Sequence, residues 1–325
     1  MAPEIASRRL FSLVSAVTLS ICVSCADRTP TSTAPVTVRI SAGAVGASFN
    51  SPMSVALERV YSSLPHVSAR TVTRLGSDRS VEMLERGDAE IAINFADVAY
   101  AAFTGRLPDH PKPFHRLRAV ALLERQALQL VVSGRSPVRT ATDLAGRTAS
   151  LGSDRSASVL TATLVLNAYG LDVDRIRRET GARRASLNEL AGGELDAMFL
   201  LAPYPIDPVR QAATEGARLL PLAGPPIDRL IREYPFYSYM MIPRNTYPGQ
   251  SQPVQTIGVN GILLCREDLP DELVYTLTKA LFDSLERPSS PEARFPWLDA
   301  DGASATPIPL HAGAARYFRE RELFP

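Results

Sequence analysis

Leu75-Gly76-Ser77-Asp78-Arg79-Ser80 recurs letter for letter as Leu151-Gly152-Ser153-Asp154-Arg155-Ser156. The first copy follows a β-branched run (Val67, Thr71, Val72, Thr73) and the second follows Thr148–Leu151, which leaves a Gly146-Arg147 turn. Each precedes apolar residues at helical spacing, Val81 and Leu84 in one case, Val159, Leu160 and Leu164 in the other. Strand, turn and helix, stated twice, read as an α/β chain. A helix start leaves unpaired N–H groups and a partial positive charge, so it attracts anions. Ser77, Ser80, Ser153 and Ser156 are candidates to cap these helices and to offer hydroxyls. Two such turns, one in each half of a two-lobed protein, would close on one carboxylate, although ordinary capped turns use the same letters. Arg79 and Arg155 occupy equivalent places in the copies. Arginine is the bidentate partner of a carboxylate, and it is also a common solvated surface residue.

A second repeat lies outside the first. Gly87-Asp88-Ala89-Glu90-Ile91 and Gly193-Glu194-Leu195-Asp196-Ala197 each place a glycine and acidic residues between a helix and an apolar strand. This order implies two lobes on one plan, each a mostly parallel sheet flanked by helices. In such sheets ligands sit beyond the carboxyl ends of the strands, which here are Asn94–Asp97 and Ala202–Pro205. Phe95, Asp97 and Tyr204 therefore join the candidate list, with Asp97 also a candidate cap for the helix that follows it. Further strands are expected at Val36–Ser41, Leu117–Leu123, Leu128–Ser133 and Arg218–Leu222, with a β-rich segment over Val254–Cys265 and a helix over Pro270–Leu285. Ala42–Phe49 is a loop of small residues that lets backbone approach a ligand. It lacks both the dinucleotide fingerprint and a P-loop lysine.

At 325 residues the chain is long enough for about two domains. A hydrophobic content of 45% and a charged content of 21% describe a globular protein, and a net charge of +1 argues against nucleic acid or an anionic membrane surface as partner. The N-terminus reads as an export signal: Arg8-Arg9 precedes the apolar run Leu10–Val23, which is short for a membrane span. Cys25 after Ser24 resembles a lipoprotein cleavage site, with Cys22 where leucine is usual; simple secretion is the alternative. Residues 1–25 are thus read as signal and 26–35, rich in Thr, Ser and Pro, as linker. Cys265 is then a lone buried thiol, and no disulfide framework or cysteine metal site exists.

The ordered motifs resemble the TAXI-type solute receptors of tripartite ATP-independent periplasmic (TRAP) transporters. The resemblance runs from Val36 to Glu322. It is carried by Ser41–Asn50, by Gly76-Ser77 with Leu84–Ala92, by Asp97-Val98-Ala99-Tyr100, by Asp143–Arg147 with Ser150-Leu151-Gly152, and by Leu195–Phe199. Ile242-Pro243 with Tyr247, and Pro309–Ala314 with Arg316-Tyr317, complete it. It implies a two-lobed, type II periplasmic-binding-protein fold with the ligand cleft between the lobes. Lobe 1 would be residues 36–130 plus 240–325, and lobe 2 residues 131–239. It also implies a small carboxylate ligand and the permease subunits of a TRAP transporter as partners. With the signal and Cys25, the expected location is periplasmic and lipid-anchored, and the missing motifs give no reason to expect a cofactor or metal. The family's glycine loop falls on Gly43, Gly46, Ser48 and Phe49, its Gly-Ser turn on Gly76 and Ser77, and its second-lobe turn on Arg155, Ser156, Ala157 and Ser158. Phe49 stands where tyrosine is usual, Phe95-Ala96 where glutamine is frequent, and Arg155 and Ala157 replace glycines. These changes point to a ligand less polar than an amino acid, such as an oxo or aromatic acid.

An enzyme would need a constellation that is missing. The histidines have no metal-ligand spacing, and no Gly-x-Ser-x-Gly elbow occurs. A receptor for a membrane kinase or for an ABC importer would carry the same sequence features as a TRAP receptor.

Overall fold

The computed structural model describes residues 35–42, 50–73, 76–179, 183–286, 298, 300 and 302–323. The first run of elements is β1 (Val36–Ala42), α1 (Asn50–Ser62), β2 (Val67–Thr73), α2 (Ser77–Arg86), β3 (Ile91–Phe95) and α3 (Ala96–Phe103). A long strand follows, β4 (Leu117–Val132). The second run is β5 (Thr148–Ser150), α4 (Ala157–Ala168), β6 (Arg177–Glu179), α5 (Arg183–Gly192), β7 (Ala197–Ala202), α6 (Asp207–Thr214), β8 (Arg218–Leu220) and α7 (Pro225–Glu233). The chain returns through β9 (Tyr237–Ile242) and β10 (Val254–Arg266) and ends with α8 (Asp271–Glu286) and α9 (Ala312–Glu320).

The strands are ordered β2-β1-β3-β10-β4-β7-β5-β6, with β8 on β4 and β9 on β10. Parallel sets at the two ends, β2-β1-β3 and β7-β5-β6, are joined by the antiparallel pair β4–β10. Along β10, Gly261–Cys265 pairs with β3 and Val254–Val259 pairs with β9. Along β4, Ala127–Val132 pairs with β7. At Arg125 and Asn260, which face each other, β4 and β10 alone continue the sheet among the described residues, and the register is irregular beside Asn260. This two-strand waist divides the parallel sets. Leu117–Leu123 and Leu128–Ser133, expected as separate strands, are one strand: Glu124-Arg125-Gln126 breaks the apolar run but stays extended because β10 pairs across it.

The helix–glycine–acid–strand repeat has one physical basis in both places. Gly87 (φ 79) and Gly193 (φ 85) adopt the left-handed conformation that ends α2 and α5. Asp88 N–H then donates to Met83 C=O (2.8 Å), and Glu194 N–H to Glu189 C=O (3.0 Å). The acidic residue just before each strand next meets the neighbouring parallel strand. Glu90 accepts from Arg39 N–H (2.8 Å), and Asp196 accepts from Thr148 N–H (3.2 Å). In return Glu90 N–H donates to Arg39 C=O and Asp196 N–H to Thr148 C=O. Burial pushes the Glu90 carboxyl up, but Arg39, through its side chain and N–H, and Arg266 bring it below its ordinary value.

Both faces of the sheet are covered. In β7, Ala197, Phe199 and Leu201 enter the main core while Met198, Leu200 and Ala202 enter a second core with Leu187, Leu190 and Val209. A strand buried on both faces carries an unbroken apolar run, which is why Ala197–Ala202 has no polar residue. Cys265 is fully buried, as expected.

Candidate functional site

The two copies of the hexamer meet, yet they are not built alike. In the first, α2 begins at Ser77; in the second, the whole hexamer is turn and α4 begins only at Ala157. Arg79 is therefore an exposed helical residue, 3.9 Å from Glu82, whereas Arg155 sits in the turn at φ 60. Sequence equivalence of the two arginines does not survive as structural equivalence. The capping roles differ in the same way. Ser156 caps its own helix, accepting from Val159 N–H at 3.4 Å. Ser77 instead caps its neighbour: its hydroxyl accepts from Ala157 N–H of α4 (3.1 Å), and its N–H donates to Arg155 C=O (2.8 Å). Ser80 lies inside α2 with a buried hydroxyl, and Ser153 is an exposed turn residue whose carbonyl accepts from Ser156 N–H. Neither caps.

Arg155 faces two acids one turn apart on α2. Its Nε donates to Asp78 Oδ2, and its Nη2 donates to Glu82 Oε1 at 2.5 Å. His110 Nε2 stands 2.5 Å from the same Glu82 oxygen and 3.2 Å from Arg155 Nη2. Asp78 and Glu82 are only 8% and 4% exposed, so their charges need these partners. Burial raises the Asp78 carboxyl above its ordinary value, against the downward pull of Arg155. Gly76 permits the contact: at φ 95, a β-carbon there would lie 2.8 Å from Asp78 Oδ1 and 3.1 Å from Arg155 Cβ. Asn94, buried at the end of β3, donates to Ser77 C=O at 2.6 Å and fixes the start of α2.

Deeper lies Asp97. It is the second residue of α3, not its cap, because the chain passes from β3 straight into the helix and Phe95 takes the cap position. Its Oδ2 accepts from Thr161 Oγ1 of α4 (2.5 Å) and from the Tyr237 hydroxyl of β9 (2.9 Å), and its Oδ1 accepts from Val98 N–H (2.8 Å). Burial raises the carboxyl, and it raises the Tyr237 phenol well above its ordinary value. The register places Gln126, Val259 and Tyr237 in one row on one face of the sheet, next to the waist. Gln126 is fully buried and donates to Glu124 (3.1 Å), while its Oε1 finds no donor among the described residues.

Other expected site residues fall nearby or elsewhere. Phe95 is buried at the end of β3. Ser158, buried in α4, accepts from Leu201 N–H of β7 at 3.1 Å. Tyr204 is half-buried and donates to Met241 C=O at 3.0 Å. Gly46, Ser48, Phe49 and Cys25 lie outside the described residues. Glu82, His110, Thr161 and Tyr237 are site neighbours that the sequence does not single out, and Asn94 enters there only as the start of the strand end Asn94–Asp97. Of the four, Glu82 carries a signal, its spacing of four from Asp78 on one helix face. Among the described residues no cluster of His, Cys, Asp and Glu is arranged to hold a metal, and no helix is long and apolar enough to cross a membrane.

The fold is that of periplasmic binding proteins. Three solved structures illustrate it, each at low sequence identity. XAC2383 of Xanthomonas citri, bound to ATP, aligns with a TM-score of 0.54 at 12% identity over 87% of this chain and 94% of its own. MatC of Rhodopseudomonas palustris, with bound malate, gives 0.51 at 14% over 80% and 87%. The periplasmic binding protein BugD gives 0.51 at 13% over 80% and 84%. The family model for NMT1-like proteins matches residues 40–321, and the chain belongs to the NMT1-like family.

Proposed function

We propose that this protein is an extracytoplasmic solute receptor of the TAXI type that delivers a small carboxylate to the permease of a TRAP transporter. Residues 36–130 with 240–325 form one lobe and residues 131–239 the other, and the lobes close about the β4–β10 waist. The observation that supports this most is the meeting of two strand-to-helix turns, from opposite sides of that waist, at Ser77 and Arg155–Ala157. A receptor that works by closure needs facing donors and hydroxyls and no nucleophile. Ser77, Ser156, Ser158, Phe95 and Tyr204, with the loop carrying Gly46, Ser48 and Phe49, are the ligand contacts; Arg79, Asp97, Ser153 and Arg155 border them. MatC, of the same fold, holds a dicarboxylate. The apolar exchanges at Phe49 and Phe95 favour an oxo or aromatic acid over an amino acid. Export through residues 1–25 and a lipid on Cys25 would hold the receptor in the periplasm, anchored to the membrane.

The test is a thermal-shift screen of the purified chain with 2-oxo acids, aromatic acids, dicarboxylates, glutamate and glutamine. Stabilisation by an oxo or aromatic acid is expected. Strongest stabilisation by glutamate or glutamine refutes the polarity argument, and no response to any acid refutes the carboxylate assignment. Loss of uptake of the stabilising acid on deletion of this gene, retained on deletion of ABC permeases, tests the transporter class.

A further inference from the structure

Every strong contact between the two turns is made by the chain with itself. Arg155 presents its fork to Asp78 and Glu82, which occupy it as a ligand carboxylate would. The first N–H of α2 is spent on Arg155 C=O, and the first N–H of α4 is spent on the Ser77 hydroxyl. His110 adds a contact to the same Glu82 oxygen. Both acids are nearly buried, so parting the turns with the charges unpaired would expose α2 carboxylates that now have a cation. Arg155 also holds φ 60, a conformation that a side chain of its shape disfavours and that the surrounding bonds must enforce.

We propose that Arg155, Asp78 and Glu82 form a latch that holds the receptor shut without solute. Arg155 is then a positioning residue that locks the turns, and the solute is met by neutral groups. Closure is then partly made before solute arrives, so the latch slows solute entry and exit and adds to how tightly solute is kept. This inference rests on the two-lobed reading above but not on the carboxylate assignment, because its test uses no solute.

The full chain and three variants are compared by hydrogen exchange and small-angle X-ray scattering with no solute added. Arg155→Asn removes the guanidinium but keeps a residue that tolerates positive φ. Asp78→Asn removes one acid, and Arg79→Asn changes the exposed arginine of the other hexamer copy. For R155N and D78N, exchange at Ser77 and Ala157 is expected to quicken by about tenfold or more, the change that loss of a charge-assisted hydrogen bond makes to a local opening. The radius of gyration is expected to grow, while near-ultraviolet circular dichroism stays native and R79N matches the parent. The latch is overturned if R155N and D78N leave both readouts at parental values, or if R79N moves them as far. A parent chain that already scatters as a wider species without solute overturns it as well, and that measurement requires no variant to fold.

Discussion

Replacing Tyr237 by phenylalanine removes one hydroxyl and leaves the ring. That hydroxyl is buried, 2.9 Å from Asp97 Oδ2, and it bonds a carboxyl that has no arginine or lysine among its hydrogen-bond partners in the described residues. Burial raises the Asp97 carboxyl above its ordinary value, so between that ordinary value and the raised one the folded chain binds a proton that the unfolded chain has lost. In that interval stability falls as pH rises, and the fall ends once the folded carboxyl is also ionised. The hydroxyl supports the ionised form more than the neutral one. Its loss should cost about 1 kcal/mol in acid, as for a neutral hydrogen bond, and about 1.5–3 kcal/mol at alkaline pH, as for a bond to a charge. Urea unfolding of Y237F and the parent, followed by circular dichroism at one pH below and one pH above the parent's own decline in stability, measures both values. A cost that is equal at the two pH values, or larger in acid, refutes the reasoning and detaches Tyr237 from the charge on Asp97.

Other outcomes follow from neighbouring geometry. Asp97→Asn removes the titration, so the decline of stability from acid to neutral pH should shrink in the same urea series. Glu90 behaves in the opposite sense. Its carboxyl is lowered, so its contribution is present above the ordinary glutamate value and lost as pH falls through the lowered one, and Glu90→Gln should raise the pH of the acid-unfolding midpoint. Gly76→Ala should destabilise the chain by about 1–3 kcal/mol, because the added carbon meets Asp78 and the Arg155 backbone at a positive φ; a cost below about 0.5 kcal/mol would show that the turns relax freely. Cys265, buried and with its thiol raised by burial, should resist alkylation in the native protein and react after unfolding, as read by mass spectrometry of its peptide.

Much of the architecture was legible because local chemistry repeats. Gly87 and Gly193 announce helix ends, and Glu90 and Asp196 announce strands that begin beside a parallel neighbour. The unbroken apolar run Ala197–Ala202 announces a strand covered on both faces. The hexamer misled in detail for a related reason. Where a helix begins depends on which N–H groups find acceptors, and those acceptors come from the other turn. Six identical letters thus place Arg79 on an exposed helix face and Arg155 in a strained turn.

By itself the sequence settled the α/β class, the strand–turn–helix repeats, the burial of Cys265 and the positions where two turns end strands. These depend on residues a few places apart, and helical or strand periodicity records such separations directly. Only the tertiary structure decided that β4 is one strand, that Ser77 caps α4, that Asp97 is bonded by Thr161 and Tyr237, and that Arg155 is taken by Asp78 and Glu82. Those bonds join residues far apart in the chain, where no periodicity reaches. Their partners are chosen by which groups burial leaves in need of a donor or a charge.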